Sequence, residues 1–242
     1  MGYGELRRRT EWLRAMYASI VDTYDLLNNV LSFKQANHWR RFAAECSGLA
    51  PGGRGLDVAC GTGLLTLELA RLAGSSGRVV GVDFCLEMLN RARKNVRRSP
   101  FRDIIRFELG NADALPFSDQ SFDCVTMGFA LRAVPDPERS IAELIRVVKP
   151  GGRVVTLELA KPSVPVFKEI YAVYLSRLVP LVGRLGVGRP GPYDFLARSV
   201  RAFRHQAEIR DLFVRAGLAD VRYYELTGGI AAVHVGTRSL PA

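Results

Sequence analysis

The chain has 242 residues, of which 48% are hydrophobic and 24% are charged, as in a globular protein large enough for one α/β domain. Its apolar runs are shorter than the ~18 residues that a membrane span requires, and no apolar segment follows Arg7–Arg9 as it would in a signal peptide. The formal charge of +10 leaves an anionic membrane surface open as a partner, but nucleic acid is not expected, because the basic residues are scattered and lack interleaved aromatic residues.

The histidines and cysteines do not have the spacing of a metal site. His38, His205 and His234 are far apart in the sequence, and the four cysteines form no C-x-x-C pair. We therefore predict no metal and reduced thiols, which are typical of a cytoplasmic protein.

The first 50 residues predict helices that precede the main domain. Trp12, Met16, Ile20 and Tyr24 recur at helical spacing, and a second apolar series follows at Leu26–Leu31. We interpret residues 1–50 as a helical lid or appendage and residues 51–242 as the main domain.

From residue 51 onward, apolar strands alternate with helices. Strands are predicted near 54–59, 78–83, 104–109, 122–128 and 153–159, with helices near 64–73, 86–98 and 137–148. A helical segment from about 164 to 200 follows, then a helix near 205–216 and two strands near 219–226 and 230–237, joined by Thr227–Gly229. This order predicts a Rossmann-like α/β fold whose seven-stranded sheet is mostly parallel, with an antiparallel C-terminal hairpin and helices on both faces.

Two of the predicted strands end in groups that suit a nucleoside. The first contains Asp57 and leads into a turn at Gly61 and Gly63, where the missing Cβ atoms let the backbone approach a ligand closely. The second ends at Asp83, which is placed to accept hydrogen bonds from both hydroxyls of a ribose.

The same segment indicates which nucleoside binds. The third glycine of the dinucleotide fingerprint is replaced by Thr66, and the chain contains no P-loop sequence, so no cradle for a pyrophosphate is predicted. Asp57 would repel a pyrophosphate but suits a cation. S-adenosylmethionine carries a sulfonium, an ammonium group and a ribose without any phosphate, and it is the predicted cofactor.

Motifs along nearly the whole chain resemble the UbiE/MenG family, the C-methyltransferases of menaquinone and ubiquinone biosynthesis. The likeness implies the class I methyltransferase fold. The segments that carry it are Met16–Arg41, Leu56–Gly63, Asn111–Asp123, Phe129–Gly152, Leu157–Pro162, Tyr193–Val200 and Thr227–His234.

The resemblance implies that Thr62, Asp83, Asn111 and Ala112 occupy cofactor positions. The Asn111 amide can both donate to and accept from an adenine edge, which supports that position independently. Tyr24 is expected to close over the methionine end of the cofactor. The full expected cofactor set is Asp57, Gly61, Thr62, Gly63, Asp83, Phe84, Asn111, Ala112, Gly128 and Tyr24.

The resemblance also implies methyl transfer to a ring carbon of a prenylated quinol, as from demethylmenaquinol to menaquinol. Such a carbon attacks more readily when a quinol hydroxyl has lost its proton, so a cation should stabilise the developing quinolate. The family's Phe-Gly-Leu-Arg-Asn motif reads Phe129–Ala133 here, and Arg132 is the expected catalytic residue, acting as a fixed cation and not as a base. The expected substrate-binding residues are Phe129, Tyr171 and Tyr193.

Several positions depart from the family pattern. Ala130 and Ala133 replace glycine and asparagine, Gly128 stands where serine is frequent, Ala36 replaces a histidine, and Arg204–His205 stands where Pro-Asp is usual. These changes cluster on the substrate side, so the exact methyl acceptor stays open. The alternatives are a methyltransferase for another small molecule or for RNA, and a non-catalytic S-adenosylmethionine-binding protein.

The segment from about 164 to 200 carries more apolar residues than one amphipathic helix face can hold. A helix that is apolar on nearly all sides is buried, or it meets lipid or a partner chain. We hypothesise that this insertion and the N-terminal helices form a lid over a cavity for an isoprenoid tail. Arg177 and Arg184 would favour peripheral contact with the inner face of the cell membrane, and a homodimer is the other contact considered.

Overall fold

A computed structural model describes residues 3–182 and 191–240. Within these residues seven strands form one sheet: β1 (Arg54–Val58), β2 (Arg78–Asp83), β3 (Ile105–Leu109), β4 (Phe122–Gly128), β5 (Val148–Leu159), β6 (Leu218–Leu226) and β7 (Ala231–Arg238). The strand order is β3-β2-β1-β4-β5-β7-β6, with β1 to β5 parallel and β7 antiparallel to both of its neighbours. The predicted Rossmann-like fold is confirmed, including the C-terminal hairpin.

Helices cover both faces of the sheet. They are α1 (Tyr3–Leu31), α2 (Gln35–Cys46), α3 (Leu64–Ala73), α4 (Leu86–Val96), α5 (Pro137–Val147), α6 (Pro165–Val173), α7 (Pro192–Ala202) and α8 (Gln206–Arg215). One apolar core contains buried residues of α2, α3 and α4, and a second contains those of α5 and α8. The central strands β1, β2, β4 and β7 are mostly buried, because helices cover both faces of the sheet there, whereas the edge strands β3 and β6 are largely exposed.

Local capping explains where two of these helices begin. Asp136 caps α5 by accepting a hydrogen bond from the Arg139 amide at 3.0 Å. At α8, the His205 ring accepts from the Ala207 amide while Glu208 accepts from the His205 amide at 2.6 Å, which is a capping box. The departure at 204–205 therefore lies in a helix cap.

The strand order places the predicted nucleoside-binding residues together. β1 lies between β2 and β4, so the carboxyl ends of these three parallel strands are neighbours. Strand order reverses direction at β1, and the crevice at such a point is where open α/β sheets bind ligands. Asp57, Asp83 and Gly128 come from these three strands.

The N-terminal helices are fastened to the sheet domain by both polar and apolar contacts. The Thr62 hydroxyl donates to Asp25 of α1 at 2.6 Å, and the Asn95 amide of α4 donates to the other Asp25 oxygen at 3.0 Å. Helix α2 contributes Ala43 and Ala44, both fully buried, to the same core as α3. The division of the chain at residue 50 stays a prediction.

The apolar insertion packs against the end of α1. Helix α6 continues as a π-helical turn, Tyr174–Leu178, and the Tyr174 hydroxyl donates to the Leu31 carbonyl. Tyr171, Leu175 and Val179 are buried in a cluster that also includes Leu27 of α1. Arg184, one of the basic residues considered for membrane contact, lies outside the described residues. No helix among the described residues is long and apolar enough to cross a membrane.

Candidate active site

An open cleft with about 880 Å³ of empty volume lies at the carboxyl ends of the central strands. We call it the main cleft. One wall comes from the turns that follow β1, β2 and β4, and the other from α1 through Leu13, Tyr17 and Tyr24. Tyr17 packs edge-to-face on Tyr24 and on Phe84, with ring centroids 6.3 and 6.4 Å apart, so the aromatic wall is continuous.

Asp83 is held at the edge of the main cleft by backbone amides. One carboxylate oxygen accepts from the Gly61 amide at 2.8 Å and the other from the Cys85 amide at 2.9 Å. Burial raises the pKa of Asp83 to about 6, against the opposing effect of these hydrogen bonds. The structure therefore holds a carboxylate in a fixed orientation next to the glycine turn, and Phe84 lines the cleft beside it.

The Asp57 carboxylate is buried in a smaller pocket that adjoins the main cleft. Its two oxygens accept hydrogen bonds from the hydroxyls of Thr66 at 2.7 Å and Thr126 at 3.0 Å. Burial raises the pKa of Asp57 to about 7, more than these hydrogen bonds lower it. This inner pocket has about 370 Å³ of empty volume and shares Tyr24, Ala59, Gly61, Gly128 and Phe129 with the main cleft.

The two glycines of the turn have different surroundings. Gly61 has a φ of +54°, and a Cβ built on it would find no atom within 4 Å, so its open side faces the cleft. Gly63 caps α3 with a φ of +80°, and a Cβ there would lie 3.0 Å from Phe107 and 3.1 Å from Ala92. Gly63 is therefore required for packing, and it lines neither the main cleft nor the inner pocket.

The remaining expected cofactor residues are distributed over both cavities. Asn111, Ala112 and Gly128 line the main cleft, while Thr62 lines the inner pocket with its hydroxyl bound to Asp25. Tyr24 lines both.

Next to these cavities lies an apolar pocket of about 580 Å³ that contains two arginines. Its walls come from α1, α2, the turn after β4 and the insertion, and include Trp39, Leu159, Tyr174, Val179 and Leu196. Arg40 and Arg132 provide the cationic groups of this pocket among the described residues. Tyr24 and Phe129 line it as well as the main cleft, so the two cavities meet at these rings.

Arg132 is held by a buried ion pair with Glu158 of β5. The Nη1 atom donates to a Glu158 oxygen at 2.8 Å, and the two side chains are only 6% and 3% exposed. The Arg132 amide donates to the other carboxylate oxygen at 3.3 Å. The Nε atom is buried without a hydrogen-bond partner among the described residues, so one donor of this guanidinium is unsatisfied.

The expected substrate-binding residues lie around Arg132 at different depths. Phe129, with a φ of +57°, lines the main cleft and both adjoining pockets. Tyr193 lines a further pocket of about 370 Å³ together with Tyr24 and Arg132. Tyr171 is buried against Tyr174, with ring centroids 6.0 Å apart, and so supports the wall of the apolar pocket without lining it.

Sequence reasoning overlooked three residues at this site: Tyr17, Arg40 and Glu158. Glu158 left a signal, since it is an acid inside the apolar strand Val154–Leu159 and such an acid needs a partner when buried. Arg40 and Tyr17 lie on helices whose apolar periodicity says nothing about which polar side chain faces a ligand.

The residues present fit S-adenosylmethionine. Two buried carboxylates stand at neighbouring strand ends, the open side of Gly61 lets the backbone approach a ligand, and the main cleft contains no lysine or arginine among its described lining residues. Carboxylate acceptors suit the hydroxyls of a ribose and a cationic tail, and the main cleft offers a phosphate no positive charge. Fold and site together define a class I S-adenosylmethionine-dependent methyltransferase.

Comparison with known proteins narrows this class to a family. The profile of the ubiE/COQ5 methyltransferase family matches residues 6–238. A demethylmenaquinone methyltransferase of Desulfitobacterium hafniense is 41% identical over 230 residues, which cover 95% of this chain and 91% of the relative. A ubiquinone/menaquinone biosynthesis C-methyltransferase, UbiE, of a Geobacter species is 40% identical over 233 residues, which cover 96% of this chain and 99% of the relative. The chain belongs to the ubiE/COQ5 methyltransferase family, which confirms the resemblance seen in its motifs.

Solved structures agree with the fold. An S-adenosylmethionine-dependent methyltransferase of Thermotoga maritima superposes with a TM-score of 0.65 at 23% identity, over 93% of this chain and 99% of that one. A second such methyltransferase, from Aquifex aeolicus, gives a TM-score of 0.57 at 20% identity, over 78% and 84% of the two chains. At these identities the likeness concerns the fold alone.

Proposed function

We propose that this enzyme methylates a ring carbon of a prenylated quinol, of the demethylmenaquinol type, in respiratory quinone biosynthesis. The observation that carries the proposal is the buried Arg132 guanidinium, which stands in an apolar pocket that meets the main cleft at Tyr24 and Phe129. An apolar pocket with a fixed cation in its wall suits a flat ring that develops negative charge on an oxygen. The names of the relatives above point to the same acceptor class.

Each group of the site has a defined task in this proposal. When bound, S-adenosylmethionine supplies a methyl group on a sulfonium. Asp83 accepts hydrogen bonds from the ribose hydroxyls, and Asn111 pairs with the edge of the adenine. Arg132 stabilises the developing quinolate oxygen as a fixed cation beside the ring, and its charge persists at every working pH. Phe129 and Tyr193 orient the ring, and the apolar walls exclude water from it.

The N-terminal helices and the insertion form the lid over the quinol in this proposal. Tyr174 of the insertion binds the Leu31 carbonyl at the end of α1, and the shared apolar cluster joins the two elements into one cover. The same elements line the apolar pocket through Leu31, Tyr174 and Val179. An isoprenoid tail attached to the ring would lie along these side chains.

The outer side of this lid is proposed to rest on an anionic membrane. Large apolar side chains are exposed on α1 and on the insertion; we call them the apolar surface, and its members are Leu26, Val30, Phe33, Phe167, Ile170, Leu178 and Leu181. Lys34, Lys168 and Arg177 are exposed at the same elements, so the surface combines apolar area with positive charge. That combination suits an anionic bilayer, where the prenylated quinol itself resides.

Methyl transfer from labelled S-adenosylmethionine to reduced demethylmenaquinone and to demethylated benzoquinols, in detergent, tests the acceptor. Arg132→Met should abolish transfer to the preferred quinol, because it removes the cation that the proposal places beside the ring oxygen. Arg98→Met, at an exposed arginine of the same charge, is the control and should retain activity. Tight cofactor binding without transfer to any of these quinols would refute the proposed acceptor and leave the enzyme class intact.

Flotation with vesicles tests the membrane contact. Ile170→Glu should release the protein from vesicles that contain anionic lipid, whereas Val214→Glu, at an equally exposed valine of α8, should not. Size-exclusion chromatography of both variants tests whether a second copy of the chain, and not a membrane, covers the apolar surface. A dimer that Ile170→Glu dissociates, together with absence of vesicle binding by the unaltered protein, would assign the apolar surface to a second copy of the chain.

A further inference from the structure

Arg40 of α2 is a buried cation that forms no ion pair with a carboxylate among the described residues. The residue is 8% exposed, and its Nη1 atom donates a hydrogen bond to the neutral side chain of Asn37 at 3.1 Å. The guanidinium carbon lies 5.5 Å from the centre of the Phe129 ring. Among the described residues no acidic oxygen lies within 4.0 Å of it, whereas Arg132 is paired with Glu158.

Such an arrangement leaves most of the hydrogen-bonding capacity of Arg40 unused. A guanidinium has five N–H donors, and a buried charge is costly unless it is paired and hydrogen-bonded. Burial lowers the pKa of Arg40, and the more distant Tyr24, Asp25 and Asp57 oppose that change. An arginine guanidinium is not deprotonated in proteins, so the side chain stays charged and an anionic ligand would complete its surroundings.

The inner pocket indicates which anion this is. Among the described residues that line it, Arg40 is the one cation and Asp57 the one acid. The pocket shares Ala59, Gly61 and Gly128 with the main cleft, where the nucleoside is expected. A ligand group that extends from the nucleoside into this pocket would meet an anionic group and a cationic group at once. The methionine part of S-adenosylmethionine has the matching pair, an α-ammonium and an α-carboxylate.

We propose that Arg40 binds the α-carboxylate of the methionine part of S-adenosylmethionine, opposite Asp57, which attracts the α-ammonium. The inference rests on the cofactor assignment but not on the identity of the methyl acceptor. Arg40 also lines the apolar pocket, where Arg132 is a second cation. The inner pocket decides between the two ligands, because only the cofactor carries a carboxylate and an ammonium on one carbon.

Equilibrium binding of three probes tests this directly, with no methyl acceptor present. The probes are S-adenosylmethionine, decarboxylated S-adenosylmethionine, which lacks only the carboxylate, and methylthioadenosine, which lacks the whole amino acid part. The unaltered protein should bind S-adenosylmethionine roughly 10- to 100-fold more tightly than the decarboxylated probe, as expected for charge-assisted hydrogen bonds. Equal affinity for these two probes would overturn the proposal without any variant.

The variants then assign the difference to one side chain. Arg40→Met should weaken binding of S-adenosylmethionine by that factor, leave the decarboxylated probe unaffected and so erase the discrimination. Arg40→Lys should retain part of it, because the charge remains, and Arg41→Met, at the exposed neighbour, should retain all of it. Methylthioadenosine reports whether each variant is folded, and Arg40→Lys makes the comparison if the methionine variant is not.

Two further results would contradict the proposal. If Arg40→Met bound S-adenosylmethionine normally but lowered kcat at saturating cofactor, Arg40 would serve the methyl acceptor. If it weakened both cofactor probes equally, Arg40 would only support the fold of the pocket. Failure of the unaltered protein to bind any of the three probes would instead refute the cofactor assignment on which the inference rests.

Discussion

Because Arg132 and Glu158 form a buried ion pair, the stability of this protein should be sensitive to replacement of Glu158 by an uncharged residue. Glu158→Gln keeps the shape of the side chain but leaves the Arg132 charge without its partner in a site where both side chains are at most 6% exposed. Removal of one member of a buried ion pair costs about 3–5 kcal/mol. In a protein of this length, 1 kcal/mol corresponds to roughly 2–4 °C in Tm, so we expect Tm to fall by roughly 6–20 °C.

Denaturant unfolding and calorimetry of four variants measure this effect. Glu11→Gln is the matched control, because its partner Arg7 and Glu11 itself are 74% and 59% exposed, and it should change the unfolding free energy by less than about 1 kcal/mol. Arg132→Met should cost as much as Glu158→Gln. The double variant Arg132→Met with Glu158→Leu should cost less than the two single losses together, since no unpaired charge remains.

The kinetic effect of Glu158→Gln separates positioning from simple destabilisation. Glu158 accepts one hydrogen bond from the Arg132 guanidinium and one from the Arg132 backbone amide, and so fixes the position of the cation. Loss of the carboxylate should lower kcat while the affinity for cofactor analogues stays unchanged at a temperature where the variant is folded. The reasoning that the pair is buried and energetically coupled would be refuted if Glu158→Gln unfolded with a free energy within about 1 kcal/mol of that of the unaltered protein and if the effects of the single variants added up to that of the double variant.

Three further predictions concern the cofactor side. Burial raises the pKa of Asp57 to about 7, so the folded state binds that proton more tightly than the unfolded chain, and the unfolding free energy of the cofactor-free protein should fall as the pH rises from 4 to 7. Asp57→Asn should flatten this pH dependence in urea unfolding, and an unaltered slope would contradict the assignment. Asp25→Ala removes the acceptor of the Thr62 hydroxyl hydrogen bond, so it should speed up amide hydrogen exchange in α1 and weaken binding of S-adenosylhomocysteine. Unchanged protection of the α1 amides in the variant would show that this hydrogen bond does not hold α1 in place. Gly61→Ala and Gly74→Ala both put a Cβ at positive φ with no atom within 4 Å, so each should cost about 1–3 kcal/mol of stability. Only the first should weaken S-adenosylhomocysteine binding, about 10-fold or more in calorimetry. Equal affinities would show that Gly61 does not face the cofactor.

Some structural differences from the family pattern have a local explanation. His205 caps α8 and Arg204 pairs with Glu138 at 2.6 Å, so this departure belongs to a helix boundary. Ala130 and Ala133 line the main cleft beside Gly128. Gly128 and Ala133 are smaller than the serine and asparagine of the family pattern and leave more room in the cleft, whereas Ala130 is larger than the glycine that it replaces.

The sequence alone determined the order of strands and helices and the position of the nucleoside site. Each strand end was predicted within a few residues, except that β5 begins at Val148, which pairs with Phe122 of β4. Lys149–Gly152, interpreted as a turn, are an irregularity within β5 between that pair and the pair of Arg153 with Cys124. Asp57 and Asp83 could be placed from sequence because an acid within or directly after a buried parallel strand lies at the carboxyl edge of the sheet. The local apolar pattern suffices to place these two carboxylates, since the strand that carries each residue also determines at which edge of the sheet it lies.

Tertiary structure alone decided which side chains complete the site. Arg132 and Glu158 are 26 residues apart, and only the pairing of β4 with β5 brings them together. Arg40 reaches the inner pocket because α2 packs against α3 and the sheet, and Thr62 turns its hydroxyl to Asp25 because α1 crosses the glycine turn. These contacts depend on how helices outside the strand–helix repeat pack on it, and the apolar periodicity of a helix records its buried face but not the partner of each polar side chain.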